Sequence, residues 1–276
     1  MIKQHIGQLC GAVILLILLA FAFLQPYFYP MDIGFQDLSN MLADPDETAW
    51  FGTDHLGRDM LARLASAIRL SFSLSLLSVC CALVAGLCFG MLAGLFGGWV
   101  DRLFSFICDM VMALPGLLLI LLFASLSPGS FWTLYLGISL VLWVEFFRVT
   151  RSITRTLASS SALQASRLMG MPWFYCIKRH LLPPLLPMMA TLTAFSIGNA
   201  ILALATLGFV SVGLRPPTAE LGLMMTELFP YYYQAPLIFL QPVVVVFLLV
   251  LSLQLLSGKL TASDSQANES LSKEEN

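Results

Sequence analysis

The residue types used in catalysis occur in this chain, but their spacing does not assemble an active site. Ser139, in Gly137-Ile138-Ser139, could act as a nucleophile, yet no histidine lies in any long apolar stretch to serve as its base. The chain contains no H-E-x-x-H zinc motif, and none of its four lysines lies in a G-x-x-x-x-G-K-[ST] phosphate-binding loop. We therefore expect no catalytic residue, no metal site and no cofactor bound by this chain.

The composition is that of an integral membrane protein. Hydrophobic residues make up 58% of the chain and charged residues 11%, against roughly 45–50% and about 25% in a soluble domain. A net charge of −2 gives no reason to expect nucleic acid as a partner. A transmembrane helix needs about 20 mostly apolar residues, and six stretches qualify. They cover residues 8–28, 72–97, 103–126, 131–150, 185–210 and 236–257. We predict an all-α integral membrane protein with six transmembrane helices.

Basic residues in the short loops predict the orientation, because Lys and Arg concentrate on the cytoplasmic side. The segment between predicted spans four and five has no acidic residue from Phe146 to Ala219. The basic residues at the end of span four and in this segment are Arg148, Arg151, Arg155, Arg167, Lys178 and Arg179. Arg102 lies between spans two and three on the same side. We therefore place loop 152–182 and both termini in the cytoplasm.

The remaining segments follow from this topology. Residues 1–7 form a cytoplasmic N-terminus, 72–257 a five-helix core, and the polar tail 258–276 is predicted to be disordered. The first apolar run is longer than the roughly 7–15 residues of a signal-peptide core, so an uncleaved first span is expected. In the periplasmic loop 29–71, Asp54 is expected to cap an amphipathic helix lying along the membrane surface.

Two ionisable residues fall inside or at the edge of predicted spans, where charge is costly. Asp109 is expected to pair with Arg102 or with a partner subunit, and Glu145 with Arg148, three residues further along the helix. Asp109 is also a candidate for a gate.

Loop 152–182 contains a distinctive pattern, Gln164-Ala165-Ser166-x-x-x-Gly170 followed by Ile177-x-x-His180-Leu-x-Pro183. Gly170 can adopt the positive φ that ends a helix, and Pro172 suits the start of the next one. We predict two short helices joined at Gly170. Such a compact unit would let a cytoplasmic protein push on spans four and five as one body.

This pattern resembles the EAA loop of permease subunits of ATP-binding cassette importers. Gln164 stands where that family usually has Glu and Ser166 where it has a second Ala, while the other positions keep their places. Three further segments resemble the dipeptide/oligopeptide/nickel branch, namely FGTDxxGRD at 51–59, D(x)5P at 109–115, and LSFLGLG with PPxxEWG within 207–222.

The chain departs from that branch in three places. Leu204 replaces a frequent Glu, Leu221 replaces the usual Trp, and the C-terminal motif is degraded to Ser257-Gly258-Lys259-Leu260. By the resemblance, we expect the first two departures to concern the substrate, and the third puts the family's C-terminal cytoplasmic contacts in doubt.

The resemblance implies a type I importer permease fold with a cytoplasmic coupling helix, in the bacterial inner (plasma) membrane. It also implies a homologous second permease, two cytoplasmic subunits that bind ATP and Mg, and a periplasmic or lipid-anchored solute-binding protein. The residues that would couple to the ATPase are Gln164, Ala165, Ser166, Gly170, His180 and Pro183. Those that would form the translocation path or gate are Asp109, Pro115, Gly208 and Gly213.

Alternatives to the importer subunit belong to other classes. An ion-coupled secondary transporter would show two related halves with broken spans in matching positions, and we find no such halves. For an intramembrane hydrolase, the chain lacks a histidine within its apolar stretches to act as the base for Ser139. The cargo stays open among a dipeptide, a longer peptide, nickel and a metal chelate.

Overall fold

The computed structural model describes the backbone of residues 2–47 and 49–274 and the side chains of residues 6–47 and 49–257. The regular structure of these residues is helical, and their one β-bridge joins Thr53 to Asp59. The helices are α1 (Ile2–Phe28), α2 (Met60–Phe96), α3 (Gly98–Met112), α4 (Gly116–Leu126), α5 (Phe131–Ala158), α6 (Ser161–Leu168), α7 (Trp173–Cys176), α8 (Leu182–Phe209), α9 (Leu221–Leu228) and α10 (Pro236–Glu274). Short 3-10 turns lie at Leu38–Asn40 and Phe229–Tyr231, and a π-helical turn lies at Ile177–Leu181.

The predicted all-α membrane fold is confirmed, with one span interrupted. Five helical segments are long and apolar enough to cross a membrane: Ile6–Phe28, Met60–Phe96, Phe131–Ala158, Trp173–Phe209 and Pro236–Ser257. The third predicted span, 103–126, is broken into α3 and α4, which are bent by 81° at residues 113–115. The break follows from Pro115, which has no N–H to donate and disfavours helical backbone in the residue before it.

Helix α2 corrects two expectations for loop 29–71. It begins at Met60, and its N-cap is Asp59, whose Oδ1 accepts the Ala62 N–H at 2.7 Å, so Asp54 is not the cap. The helix continues without interruption to Phe96, and its first apolar residues are buried in the bundle core. The prediction of a separate amphipathic helix on the membrane surface is therefore wrong, because this apolar face packs against protein.

Helices α2 and α5 form the centre of the bundle by packing closely along a stripe of glycines. A Cβ added at Gly86 would lie 2.3 Å from the Cβ of Phe146, and one added at Gly90 would lie 2.7 Å from the Cβ of Thr150. Gly94 repeats the arrangement one turn further on. Small residues at four-residue spacing let two helix backbones approach closely in a membrane, where no hydrophobic force drives helices together.

Gly90→Ala should therefore lower the free energy of unfolding by about 1–3 kcal/mol, because the methyl group overpacks the α2–α5 contact. Thermal unfolding of the purified protein in detergent measures the change. Gly198→Ala is the matched control, since a Cβ on this buried helical glycine would make an ordinary contact 3.8 Å from Leu253. Equal stability of the two variants would contradict the packing argument.

The remaining helices surround this centre. Helix α8 packs against α2 and α10, and α1 packs against α10 and α2. Helix α10 continues to Glu274, so the structure has helical backbone over most of 258–276, where we expected disorder. No proline follows Pro242 in this segment to end the helix.

Candidate functional site

Loop 152–182 is built as two short helical arms after α5, which extends beyond its predicted span to Ala158. The Ser160 hydroxyl accepts the Leu163 N–H at 3.4 Å and caps α6. Gly170 then adopts φ +77°, the left-handed conformation expected of it. Pro172 directly precedes α7. The two helices and the turn between them therefore lie where the sequence indicated.

A small apolar cluster fixes this loop to the bundle. Its buried members are Leu163, Cys176, Leu181 and Leu185. They pack against Met91 and Leu95 near the end of α2 and against Ile153 and Leu157 of α5. The loop is therefore in side-chain contact with α2, α5 and α8.

The outer surface of the loop is apolar and basic. The side chains of Leu168, Phe174 and Met169 are 89%, 77% and 75% exposed. The Arg167 guanidinium lies 3.9 Å from the centre of the Trp173 ring, and both residues line a groove of about 440 Å³. An exposed apolar surface of this kind, rimmed by charge, is typical of a protein interaction site.

The predicted coupling residues occupy different environments in the loop. Ser166 Oγ and His180 Nε2 lie 2.9 Å apart in a hydrogen bond between the two arms. Gln164 and Ala165 are exposed, and the Gln164 amide donates a hydrogen bond to the Ser159 carbonyl, just before α6, at 3.3 Å. Pro183 lies in the first turn of α8.

The predicted path residues fall into two separate parts of the fold. Asp109 forms an ion pair with Arg148 at 3.2 Å, and both side chains are exposed. The expected partner Arg102 does not bond Asp109, and the expected pair of Glu145 with Arg148 is absent among the described ion pairs. Pro115 lies at the break between α3 and α4.

Gly208 lies instead in the last turn of α8 and Gly213 just beyond it, where the chain turns towards α9. A Cβ on Gly208 would lie 1.9 Å from Glu220 Oε2, and one on Gly213 would lie 3.1 Å from the Cα of Gly208. The Glu220 carboxylate is fully buried and caps α9 by accepting the N–H groups of Gly222 at 3.0 Å and Leu223 at 2.8 Å. Gly208 therefore makes room for a buried carboxylate, and Gly213 allows the chain to pack closely against Gly208.

Burial raises the pKa of Glu220 from 4.5 to about 7. Because its folded-state pKa exceeds the unfolded value, the carboxyl stabilises the fold fully below pH 4.5, and this contribution is lost as the pH rises through about 7. The native protein should therefore lose about 2 kcal/mol of stability between about pH 5 and about pH 8, whereas Glu220→Gln, which has no carboxyl group to ionise, should not show this loss. Thermal unfolding at the two pH values measures this difference, and a difference that does not change with pH would contradict it.

Sequence reasoning missed a cluster of buried charges around the start of α2. Asp54 Oδ2 lies 2.6 Å from Arg58 Nε and 3.3 Å from Arg63 Nε. Glu227 Oε2 accepts hydrogen bonds from Nη2 of both arginines, at 2.8 and 2.7 Å. Both guanidinium groups are almost completely buried. The cluster ties the segment before α2, the first turn of α2 and the end of α9 together.

His55 lies beside this cluster and stacks on the Tyr231 ring, with the ring centres 5.7 Å apart. Burial lowers its pKa, which favours the neutral imidazole. Three side-chain atoms that could ligate a metal ion, one from each of Asp54, His55 and Glu227, lie within 4.8 Å of one another. A cation entering there would compete with the two guanidinium groups for the same carboxylates, so the geometry is that of a charge-balanced ion-pair network.

Comparison with known proteins relates this fold and loop to membrane transport. Residues 86–262 match a family described as "Binding-protein-dependent transport system inner membrane component". The chain is 32% identical over 250 residues to the nickel transport system permease protein NikC of Escherichia coli, covering 90% of each protein. It is 30% identical over 260 residues to the glutathione transport system permease protein GsiD of Pectobacterium atrosepticum, covering 94% of this chain and 86% of the relative. It is also 30% identical over 267 residues to the dipeptide transport system permease protein DppC of Haemophilus influenzae, covering 94% and 90%.

Proposed function

Because the chain belongs to the family of inner membrane components of binding-protein-dependent transport systems, we propose that a cytoplasmic ATPase drives it through loop 152–182. The chain is a multi-pass membrane protein and a permease subunit of an ATP-binding cassette importer of the peptide and nickel group. The similarity to these relatives favours this function over an ion-coupled secondary transporter and over an intramembrane hydrolase.

One observation carries the proposal for the loop. Its tip exposes Leu168, Met169 and Phe174, while its base is fixed to α2, α5 and α8 by the buried cluster around Leu163. An exposed apolar tip can bind a partner, and a fixed base can pass the partner's movement to the membrane helices. The basic side chains around the tip favour an ATPase surface that combines an apolar groove with acidic residues.

The other components follow from the family. Two cytoplasmic subunits would bind and hydrolyse ATP with Mg, a homologous permease would complete the path, and a periplasmic or lipid-anchored binding protein would deliver the solute. The cargo would be a peptide, nickel or a metal chelate, since the relatives transport dipeptide, glutathione or nickel. The ligand of the associated binding protein identifies which of these is imported.

The exposed Asp109–Arg148 ion pair supports a translocation path that passes close to these two residues. An ion pair facing lipid is costly, so charged residues inside spans usually face water or another protein. We assign Asp109 and Pro115 to the path or gate near the α3–α4 break. Gly208 contributes indirectly, through the close packing of α8 against Glu220, and Gly213 through its close approach to Gly208.

Topology tests the proposal, because an ATPase can reach the loop only from the cytoplasm. Ser159→Cys, at an exposed position just before α6, should resist a membrane-impermeant maleimide in intact spheroplasts and react after permeabilisation. The experiment uses a variant from which the native cysteines have been removed. Ser39→Cys, exposed in the outer segment, is the matched control and should react in intact spheroplasts. Labelling of Cys at position 159 from outside would refute the proposal.

A further inference from the structure

The hydrogen bond between Ser166 and His180 links the two arms of the loop. Ser166 lies in α6, and His180 lies in the π-helical turn that leads into α8. Among the hydrogen bonds of the described residues, this is the one that joins the two arms side chain to side chain. Both residues are half-buried, whereas Gln164, Ala165 and Arg167 are exposed. The bond therefore lies on the bundle side of the loop, away from the surface that would meet an ATPase.

The π-helical turn explains why His180 reaches α6. Pro183 and Pro184 have no N–H, so the carbonyls of Arg179 and His180 have no α-helical donor. The Leu182 N–H bonds the Ile177 carbonyl, five residues earlier, which widens the turn just before these prolines. One extra residue in a helical turn rotates the side chains around it by about 100°. The wider turn that leads into α8 thereby helps to direct the imidazole towards Ser166.

We propose that the Ser166–His180 hydrogen bond makes α6 and the start of α8 move as one body, so that both residues are positioning residues for coupling ATP hydrolysis to transport. Ser166 stands where alanine is usual in loops of this kind, and an alanine could not form this bond. The proposal rests on the proposed function of the loop. A net hydrogen bond shifts an equilibrium by about two- to tenfold, which sets the scale of the expected effect.

The test uses the complete importer in proteoliposomes, with radioactive Ni²⁺ or radiolabelled dialanine, whichever the native complex imports. The measured quantity is solute imported per ATP hydrolysed. Ser166→Ala should lower this ratio about two- to tenfold, and Ser166→Thr, which keeps the hydroxyl, should restore it. His180→Ala should have the same effect, and the double variant should be no worse than either single variant, because one bond is lost in all three.

Several results would overturn the proposal. An unchanged ratio in Ser166→Ala would do so, as would losses that multiply in the double variant. Failure of the Ser166→Ala complex to assemble would make the bond a requirement for folding, which also overturns it. A variant that disrupts the Gly170 turn distinguishes failure of the proposed loop function from failure of the proposed role of the Ser166–His180 bond. If that change impairs transport and Ser166→Ala does not alter the ratio, the loop still couples to the ATPase, and only the role of this bond is wrong.

Discussion

Glu227→Ala should lower the free energy of unfolding by about 3–5 kcal/mol, because it leaves Arg58 and Arg63 buried with only Asp54 to balance them. Glu227 Oε2 is the shared acceptor for both guanidinium groups. Its loss should separate the end of α9 from α2. Chemical or thermal unfolding in detergent, together with the amount of protein in the membrane, measures the effect.

A double variant tests whether charge balance is the cause. Arg63→Met with Glu227→Leu removes one charge of each sign and leaves the Arg58–Asp54 pair, whose atoms lie 2.6 Å apart. This variant should recover most of the stability lost in Glu227→Ala, since replacing a buried pair by apolar side chains is often close to neutral. If both variants are equally unstable, the loss comes from packing rather than from unpaired charge.

Gly170→Val should strongly impair transport and ATPase activity stimulated by the binding protein, while leaving the inserted amount unchanged. A β-branched residue at φ +77° is strained by about 1–3 kcal/mol. That energy would shift the loop towards a rearranged conformation by about 5- to 150-fold. The site lies outside the membrane spans, so insertion should not depend on it.

Gly170→Asn is the matched control, because asparagine tolerates the left-handed conformation far better. A Cβ at this position would meet nothing within 4 Å, so the side chain itself has room. The Asn variant should therefore keep most of the native transport. Normal transport by the Val variant would show that the shape of the turn does not matter for coupling.

The parts of the fold fixed by local sequence could be predicted. Long apolar runs located five of the spans, because a backbone crossing lipid must bond within its own helix. The turn at Gly170 and the start of α7 after Pro172 also followed from local backbone preferences. The break at Pro115 was visible as a proline inside an apolar run, but hydrophobicity alone drew that span as straight.

Features that depend on distant partners could not be predicted. Asp54 was expected to cap a helix, since a capping residue and an ion-pair partner look alike in sequence. Its actual environment includes Glu227, which bonds Arg63 across 164 residues of chain. The pairing of Asp109 with Arg148 also joins two helices whose relative rotation no local pattern specifies. The Ser166–His180 bond was missed because the π-helical turn that orients His180 has no helical periodicity of its own.

Site-specific photo-crosslinking tests most directly whether the ATPase binds the loop. A photoreactive benzoylphenylalanine replaces Phe174, whose side chain is 77% exposed in α7, or Trp132, which is 66% exposed at the opposite end of α5. The assembled importer is then irradiated and the crosslinked subunits are identified. The account predicts a crosslink from position 174 to the ATPase subunit and none from position 132. A crosslink to the ATPase from position 132, or its absence at position 174 in an assembled and active complex, would contradict the account.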